Sequence, residues 1–161
     1  MQRTPPIPPS PATRSRMQAQ VRQHTLPEVA VRRALYARGL RYRLHLQVPG
    51  ASRRRIDIAF RRERVAVFVD GCFWHGCPEH SKDTRVNTTW WAAKRAGTAA
   101  RDADTNRRLT EVGWVVVRCW EHEDPYAVAA RVAAIVRSRR SSTTLVPGPA
   151  AAPRLGLGLA P

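Results

Sequence analysis

The densest group of side chains that could carry out chemistry lies in one short segment, which reads DGCFWHGCPEH from Asp70 to His80. Within it, Cys72, Cys77 and His80 follow the spacing C-x4-C-x2-H. Thiolates and imidazoles are the ligands of structural zinc sites, which hold four such groups in a tetrahedron. The spacing therefore predicts a structural Zn²⁺ site that fixes this part of the chain.

The fourth zinc ligand must come from elsewhere in the chain. His122, which follows the last predicted strand, is the first candidate, and Cys119 is the second. Cys119 falls in the alternation of a buried strand, where an ordinary core thiol is the other interpretation. The alternative to zinc is that all the cysteines pack in the core while the histidines lie on the surface. Three cysteines fit a disulfide framework poorly and indicate reduced thiols.

Two aspartates lie where a strand would normally be apolar: Asp57 inside one apolar run and Asp70 at the end of the next. A buried carboxylate is costly unless it is paired or binds a cation. Together with a main-chain carbonyl such as that of Val69, the two carboxylates predict an oxygen-lined Mg²⁺ site. The alternatives are an ion pair between Asp57 and one of the arginines 53–55, and a turn-forming role for Asp70.

His75 lies between the two cysteines, too close to both to bind the same metal comfortably. Imidazole changes protonation near neutral pH, so it can take a proton from a water molecule that attacks phosphorus. A metal ion meanwhile stabilises charge on the phosphoryl oxygens. These properties predict that His75 is the general base of a phosphodiester hydrolysis, with a purely structural histidine as the alternative.

Four large aromatic residues lie near these groups in the sequence: Phe73, Trp74, Trp90 and Trp91. Aromatic and apolar side chains can be inserted between base pairs, which opens and kinks a duplex. The pattern therefore indicates a wedge into nucleic acid. Core packing is the alternative, above all for Trp90.

Periodicity predicts the elements that must position these residues. The predicted elements are a helix at Glu28–Ala37, strands at Leu40–Val48, Ile56–Phe60 and Val65–Val69, a helix within Trp90–Val112, a strand at Trp114–Trp120 and a helix at Pro125–Arg139. The residues 51–55 are expected to form a loop. This order predicts an α/β fold, a central mixed sheet flanked by helices.

Composition narrows the partner and the compartment. The chain has 161 residues and a net charge of +16, which indicates a polyanion such as nucleic acid. One folded domain is expected at residues 13–140, between a proline-rich tail at 1–12 and a second tail at 141–161. The sequence has no apolar run typical of a signal peptide or a membrane helix. A soluble cytoplasmic protein without membrane contact is therefore expected.

The block from Val69 to His80, followed by Trp91 and by the segment from Gly113 to His122, resembles the very short patch repair (Vsr) endonucleases. These are bacterial DNA mismatch endonucleases with a fold like that of type II restriction enzymes. The likeness extends from about Thr13 to Arg139. It implies a restriction-endonuclease-like fold and a nucleoid-associated, monomeric enzyme that acts on double-stranded DNA and has repair proteins as partners.

The resemblance also implies the reaction. Such enzymes nick the strand 5′ of the thymine in a T:G mismatch left by deamination of 5-methylcytosine. Asp57 would be the principal Mg²⁺ ligand, beside the Val69 carbonyl or the Asp70 carboxylate, and His75 would be the general base.

The remaining site residues are likewise carried over from the resemblance. Glu28 would lie near the active centre, and Asp102 would orient the surroundings of the catalytic histidine. The zinc ligands would be Cys72, Cys77, His80 and His122; the intercalating aromatics would be Phe73, Trp74 and Trp91; and Arg14, Arg16 and Met17 would belong to an N-terminal arm, Thr13 to Met17, that clamps DNA from the minor groove.

Three functions fit these residues: a Mg²⁺-dependent mismatch nickase, a related nuclease of restriction or phage defence, and a non-catalytic zinc-stabilised DNA-binding module. Asp57, Asp70 and His75 together favour catalysis, because binding needs no pair of carboxylates carried by strands. The residues do not separate repair from defence.

Overall fold

Helices and strands follow one another in the predicted order. The computed structural model describes residues 7–8, 10–12, 14–15, 24–80 and 85–144. The elements are helix α1 (Leu26–Ala37), strands β1 (Arg43–Val48), β2 (Ala51–Phe60) and β3 (Val65–Asp70), helices α2 (Cys72–His75) and α3 (Thr88–Glu111), strand β4 (Val115–Trp120) and helix α4 (Pro125–Thr144). The short helix α2 is the one element in this series that the sequence did not predict.

The strands form one mixed sheet in the order β1-β2-β3-β4. The first three strands are antiparallel neighbours, whereas β3 and β4 are parallel. A parallel pair needs a long crossover connection, which here includes α2 and α3. Because parallel strands end at the same edge, Asp70 pairs with Trp120. The segments that follow both strands therefore meet at that edge of the sheet.

Helices cover both faces of the sheet. In β3, Val65 and Val67 belong to the core cluster shared with α1 and α4, whereas Ala66 and Phe68 belong to the cluster shared with α3. This division follows the two-residue alternation of side chains along a strand. The predicted mixed sheet flanked by helices is confirmed.

Helix α1 presents both a core face and an acidic group to the sheet. Pro27 occupies its first turn, where the missing backbone N–H costs nothing, and Gly39 follows its end at φ +75°. Val31 and Leu35 are buried in the core, and Glu28 is buried one turn before them. The position of α1 against the sheet therefore brings Glu28 inside the fold.

The expected loop at residues 51–55 is wrong, because β2 already begins at Ala51. Ala51 pairs with Val48 and Arg55 with Gln47, and the register of the pairing shifts between Gln47 and Val48 of β1. The charged side chains stay at the surface while the backbone completes the sheet. Arg54 pairs with Asp104 of α3 at 2.7 Å, rather than with Asp57 as one alternative proposed.

The C-terminal helix runs further than predicted. Helix α4 continues to Thr144, whereas the sequence placed its end at Arg139 and a tail from residue 141. Residues 145–161 lie outside the described part of the chain. Among the described helices, none combines the length and the apolar character needed to cross a bilayer.

Candidate active site and metal centre

Helix α2 folds the reactive segment into a single turn. The His75 amide donates to the Gly71 carbonyl at 3.1 Å, and the Cys77 amide donates to the Cys72 carbonyl at 2.9 Å. Gly76 lies between them at φ +68°, a conformation that favours glycine and reverses the chain. The turn brings Cys77 back beside Cys72 while His75 projects elsewhere.

Two thiols and two imidazoles converge beside this turn. The ligand atoms of Cys72, Cys77, His80 and His122 all lie within 4.8 Å of one another. The Sγ atom of Cys72 is 3.1 Å from Nδ1 of His122, and the Sγ atom of Cys77 is 3.8 Å from Nδ1 of both His80 and His122. Tetrahedral zinc at its usual bond lengths separates sulfur and nitrogen ligands by about 3.6 Å. The donor types and their separations fit zinc.

The fourth position of this cluster belongs to His122 rather than to Cys119. Cys119 is buried in β4, where its thiol donates to the Phe68 carbonyl at 3.3 Å. Burial raises the pKa of Cys119 to about 12, so this thiol stays protonated. Cys119 is therefore an ordinary core thiol, as one of the two interpretations from the sequence proposed.

The thiol of Cys72 would need a cation to ionise. Burial raises the pKa of Cys72 to about 11, and the neighbouring Cys77 and Glu121 raise it as well. Its amide also donates to the Glu121 carboxylate at 2.7 Å, which anchors the start of α2. A bound cation would supply the missing positive charge.

Asp57 gathers with Glu28 and His45, and the ligand atoms of all three lie within 4.8 Å of one another. The Oδ2 atom of Asp57 accepts a hydrogen bond from the Val69 amide at 3.0 Å. Burial raises the pKa of Asp57 to about 6, against the opposing effect of that hydrogen bond and together with the charges of Glu28 and Asp70. A carboxylate that is withdrawn from water beside other acids is a natural position for a cation.

His45 is a residue of this group that the sequence did not single out. It lies in β1 at φ +50°, a conformation that is strained for a residue with a side chain. Its Nε2 atom is 3.4 Å from Arg32, which also contacts Nδ1 of His24 at 2.7 Å and forms a buried ion pair with Glu28. A single histidine in a strand cannot be recognised as a site residue from the sequence. Its strained backbone conformation is visible only in the structure.

His75 is held by two carboxylates. Its Nδ1 atom lies 2.6 Å from Oδ2 of Asp102 and 3.5 Å from Oδ1 of Asp70. A hydrogen bond from Nδ1 to Asp102 assigns the proton to that nitrogen and leaves Nε2 as the basic atom. Although partial burial acts against ionisation, the hydrogen bond with His75 and the charge of Arg118 lower the pKa of Asp102. The arrangement suits a histidine that accepts a proton.

Asp102 reaches His75 because it lies on the inner stripe of α3. Thr98, Thr105 and Leu109 are buried on that helix, at the spacing of successive turns. Asp102 falls on the same stripe, one turn after Thr98. A carboxylate on the otherwise buried face of a helix could therefore have identified Asp102 from the sequence, in addition to the resemblance.

The two predicted Mg²⁺ ligands do not converge on one group. Asp57 lies with Glu28 and His45, whereas Asp70 lies with His75 and Asp102. Both oxygens of Asp70 are bonded to Arg118, at 2.7 Å from Nε and 3.2 Å from Nη2. Arg118 was not predicted as a site residue, although it is a charged residue within an apolar strand, the same criterion that identified Asp57.

Three aromatic rings form a cluster next to His75. Phe73 lies 5.0 Å from Trp91 and 5.2 Å from Trp74, measured between ring centroids. Trp90 adds a ring at 4.7 Å from Trp91. All four side chains are partly exposed and belong to neither core cluster. Their position is therefore that of a surface group beside the candidate site.

The expected N-terminal arm is described only in part. Arg14 is exposed, and its amide donates to the Ser10 carbonyl at 2.9 Å. Thr13, Arg16 and Met17 lie outside the described residues.

The chain is similar to known proteins over about three quarters of its length. The family model described as DNA mismatch endonuclease Vsr matches residues 9–84. The chain is similar to the type II nicking enzyme V.NaeI of Lentzea aerocolonigenes, with 44% identity over 124 residues, or 75% of each chain. It is 37% identical to the type II nicking enzyme V.XorIIP of Xanthomonas oryzae over 76% of this chain and 91% of that protein. The DNA mismatch endonuclease Vsr of Escherichia coli is 33% identical over 68% of this chain and 70% of its own length.

Proposed function

The chain belongs to the DNA mismatch endonuclease Vsr family and is a DNA-cleaving hydrolase, and from that premise we propose that it nicks duplex DNA at T:G mismatches. The nick would fall 5′ of the mispaired thymine, in repair of deaminated 5-methylcytosine. The observation that carries the proposal is the contact of 2.6 Å between His75 and Asp102, next to a partly exposed aromatic cluster. A histidine oriented in this way can activate water, and the aromatic rings can hold an opened base pair.

Asp57 would hold the divalent cation, Mg²⁺ in this proposal, with Glu28 close by and the Val69 carbonyl as a further oxygen. These oxygen donors fit a hard cation, and the burial of Asp57 favours one. When bound, the cation supplies positive charge that stabilises the phosphoryl oxygens during hydrolysis. We place Asp70 with the general base instead, since Arg118 bonds both of its oxygens.

His75 would take the proton of the attacking water at Nε2. Asp102 accepts a hydrogen bond from Nδ1, so it fixes the ring and stabilises the imidazolium that results. The net charge of +16 would attract the phosphate backbone to this surface.

Zinc would be held by Cys72, Cys77, His80 and His122. Cys72 begins α2, the helix that also carries Phe73, Trp74 and His75, and Cys77 and His80 follow it. A single helical turn has little stability of its own. The zinc ligands would therefore fix the position of the general base His75 and of the aromatic side chains Phe73 and Trp74.

A second candidate is a nickase that serves restriction or phage defence. The names of the Lentzea and Xanthomonas relatives, type II nicking enzymes, favour it. The two candidates share the chemistry and differ in whether a mismatch is required. The choice between them therefore depends on substrate preference.

The proposed substrate preference can be measured with end-labelled duplexes that differ at one position. The duplexes carry T:G, T:A, C:G or A:C there, in several flanking sequences, with Mg²⁺ or EDTA. We expect one nick 5′ of the thymine of T:G with Mg²⁺, and none with EDTA. Equal nicking of the matched duplexes would favour the second candidate, and no nicking of any duplex would contradict both.

The proposed insertion of aromatic side chains into the DNA is tested by Trp91→Ala. We expect nicking of the T:G duplex to fall about tenfold or more, because stacking of one base on an aromatic ring contributes about 1–3 kcal/mol. The fluorescence of a 2-aminopurine next to the mismatch should rise on binding of the parent protein and less with the variant. Tyr126→Ala is the control, since Tyr126 is an exposed aromatic at the start of α4. Equal effects of both substitutions would contradict the role of Trp91.

A further inference from the structure

Arg118 lies at the centre of the polar network around His75, although it is part of an apolar strand. We propose, on the basis of the function proposed above, that Arg118 is a positioning residue. It fixes Asp70 and Asp102 on either side of the catalytic histidine. It would also keep Asp70 away from the cation position at Asp57. No contact with the scissile phosphate is required for this role.

The direction of the Arg118 side chain follows from strand alternation. Arg118 pairs with Phe68 of β3, and both side chains lie on the face of the sheet that α3 covers. The guanidinium lies over the Phe68 ring, with its central carbon 4.9 Å from the ring centroid. Strand β4 therefore places the guanidinium of Arg118 against the inner stripe of α3, where Asp102 lies.

Arg118 then bonds to three acceptors at once. Its Nε donates to Oδ2 of Asp70 at 2.7 Å, and its Nη2 donates to Oδ1 at 3.2 Å. The same Nη2 lies 3.1 Å from Oδ1 of Asp102, and Nη1 donates to Asn106 at 3.4 Å. A guanidinium has five donors in a fixed plane, so it can link several acceptors in one geometry. Lysine offers a point charge without that planar geometry.

Each oxygen of Asp102 has a separate partner. Oδ1 lies beside Arg118, whereas Oδ2 lies 2.6 Å from Nδ1 of His75. Fixing one oxygen fixes the direction of the other, so the orientation of the histidine ring depends on the guanidinium. Displacement of a catalytic group by about 1 Å can slow a reaction about 100-fold.

The two carboxylates also need a cation between them. Asp70 and Asp102 both approach the same nitrogen of His75, at 3.5 Å and 2.6 Å. The ligand atoms of the two carboxylates lie within 4.8 Å of each other, and like charges at that separation repel each other strongly where water is partly excluded. Without Arg118, Asp70 would be free to turn away from His75 towards the cation position near Asp57. Arg118 thus separates the group that moves the proton from the group that holds the cation.

The test compares Arg118→Met, Arg118→Lys and the control Arg107→Met. Arg107 also pairs with carboxylates on α3, Asp104 and Glu111, but it is exposed and outside the site. With saturating duplex and a single turnover, we expect Arg118→Met to lower the nicking rate constant about 100-fold. The dissociation constant for DNA should change less than about threefold, and Arg118→Lys should restore part of the rate. Arg107→Met should leave the rate unchanged.

A double variant distinguishes positioning from a general loss of structure. Adding Asp70→Asn to Arg118→Met removes one of the two carboxylates that would repel, so the double variant should nick faster than Arg118→Met alone. If the double variant is no faster, or if the rate loss follows the fall in melting temperature, the proposal is overturned. A loss that falls on DNA binding rather than on the rate constant would overturn it as well.

An NMR measurement keeps the proposal separate from the proposed function. The Nδ1 proton of His75, hydrogen-bonded to Asp102, should give a downfield resonance in the free protein, assigned by its loss in Asp102→Asn. We expect this resonance to be absent in Arg118→Met and retained in Arg107→Met. Retention in Arg118→Met would overturn the positioning role. Failure of the parent protein to prefer T:G would instead contradict the proposed function and leave this measurement intact.

Discussion

Replacing Asp57 with asparagine is expected to abolish nicking and, without metal, to make the protein more stable. The amide oxygen can still accept the hydrogen bond from the Val69 amide, which the carboxylate accepts at 3.0 Å. The negative charge that would hold the cation is gone, however. We expect the nicking rate to fall at least about 1000-fold, the scale of losing a central electrostatic group.

The gain in stability depends on pH in a defined direction. Burial raises the pKa of Asp57 to about 6 in the folded protein, whereas an unfolded aspartate titrates near pH ~3.9. Between these values the folded state keeps a proton that the unfolded state has lost, so the free energy of unfolding falls as pH rises. Above pH 6 the loss amounts to up to about 3 kcal/mol. The asparagine variant has no ionisable group at this position, so it does not lose this free energy of unfolding.

Thermal melting without added Mg²⁺, in a buffer that leaves the proposed zinc in place, measures this difference at a series of pH values. We expect Asp57→Asn to melt several degrees above the parent at pH 7.5 and close to it near pH 4. Added Mg²⁺ should raise the melting temperature of the parent and leave that of the variant unchanged.

The control is the same substitution at Asp104. The hydrogen bonds that Asp104 accepts from Arg108, Arg107 and Arg54 lower its pKa, so its carboxylate stabilises the fold at neutral pH and loses that effect in acid. Asp104→Asn should therefore not raise the melting temperature. Retained nicking by Asp57→Asn would contradict the assignment of Asp57 as the cation ligand. A melting temperature below that of the parent at pH 7.5 would contradict the predicted cost of burying the Asp57 charge.

The order of the helices and strands could be predicted because their apolar residues follow clear periods. Val31 and Leu35 lie one turn apart and are both buried in α1, and the run of β3 is buried as its composition indicates. The first half of β2 gave no such signal. Residues 51–55 are mostly polar, so no apolar alternation marks them, and their strand conformation depends on hydrogen-bonded pairing with β1 across the turn at Pro49 and Gly50.

The convergence of the residues of the proposed zinc site was predictable for a local reason. Cys72, Cys77 and His80 are close in sequence, so one helical turn suffices to bring them together. His122 joins them because β3 and β4 are parallel and end at the same edge. The convergence of these residues with a side chain after the last strand was therefore predictable once those two strands were assumed to be neighbours.

The partners of the two aspartates could not be predicted, because they depend on tertiary contacts. Asp57 and Asp70 lie on adjacent strands, which suggested a shared cation. Asp70 instead bonds to Arg118, brought to it by the parallel pairing of β4, and Asp57 lies with Glu28 of α1. Which groups share a site depends on strand order and on the position of the helices. Neither is encoded in the spacing of the aspartates along the chain.

Loss of one proposed zinc ligand is expected to disable the enzyme through its structure. Helix α2 spans only Cys72–His75, and a helix of one turn is not stable alone in water. Cys72 of this helix, with Cys77 and His80 just after it, contributes three of the four residues of the proposed zinc site. Without a cation, the buried thiol of Cys72 would stay protonated and the cluster would lose its cross-links. His75 and the aromatic cluster would then lose their fixed position.

We therefore expect about one zinc ion per chain after dialysis of the parent, measured by plasma emission spectrometry, and none in Cys77→Ser. The melting temperature of Cys77→Ser should fall by ten degrees or more, consistent with loss of several kcal/mol of metal binding, and nicking should fall to background. Cys119→Ser is the matched control: it alters a buried thiol outside the cluster, so it should keep its zinc and its nicking at a stability cost of about 1–2 kcal/mol. Zinc retained in Cys77→Ser, or lost from Cys119→Ser, would contradict the ligand set, because the two substitutions make the same chemical change and differ only in whether the thiol faces His80 and His122.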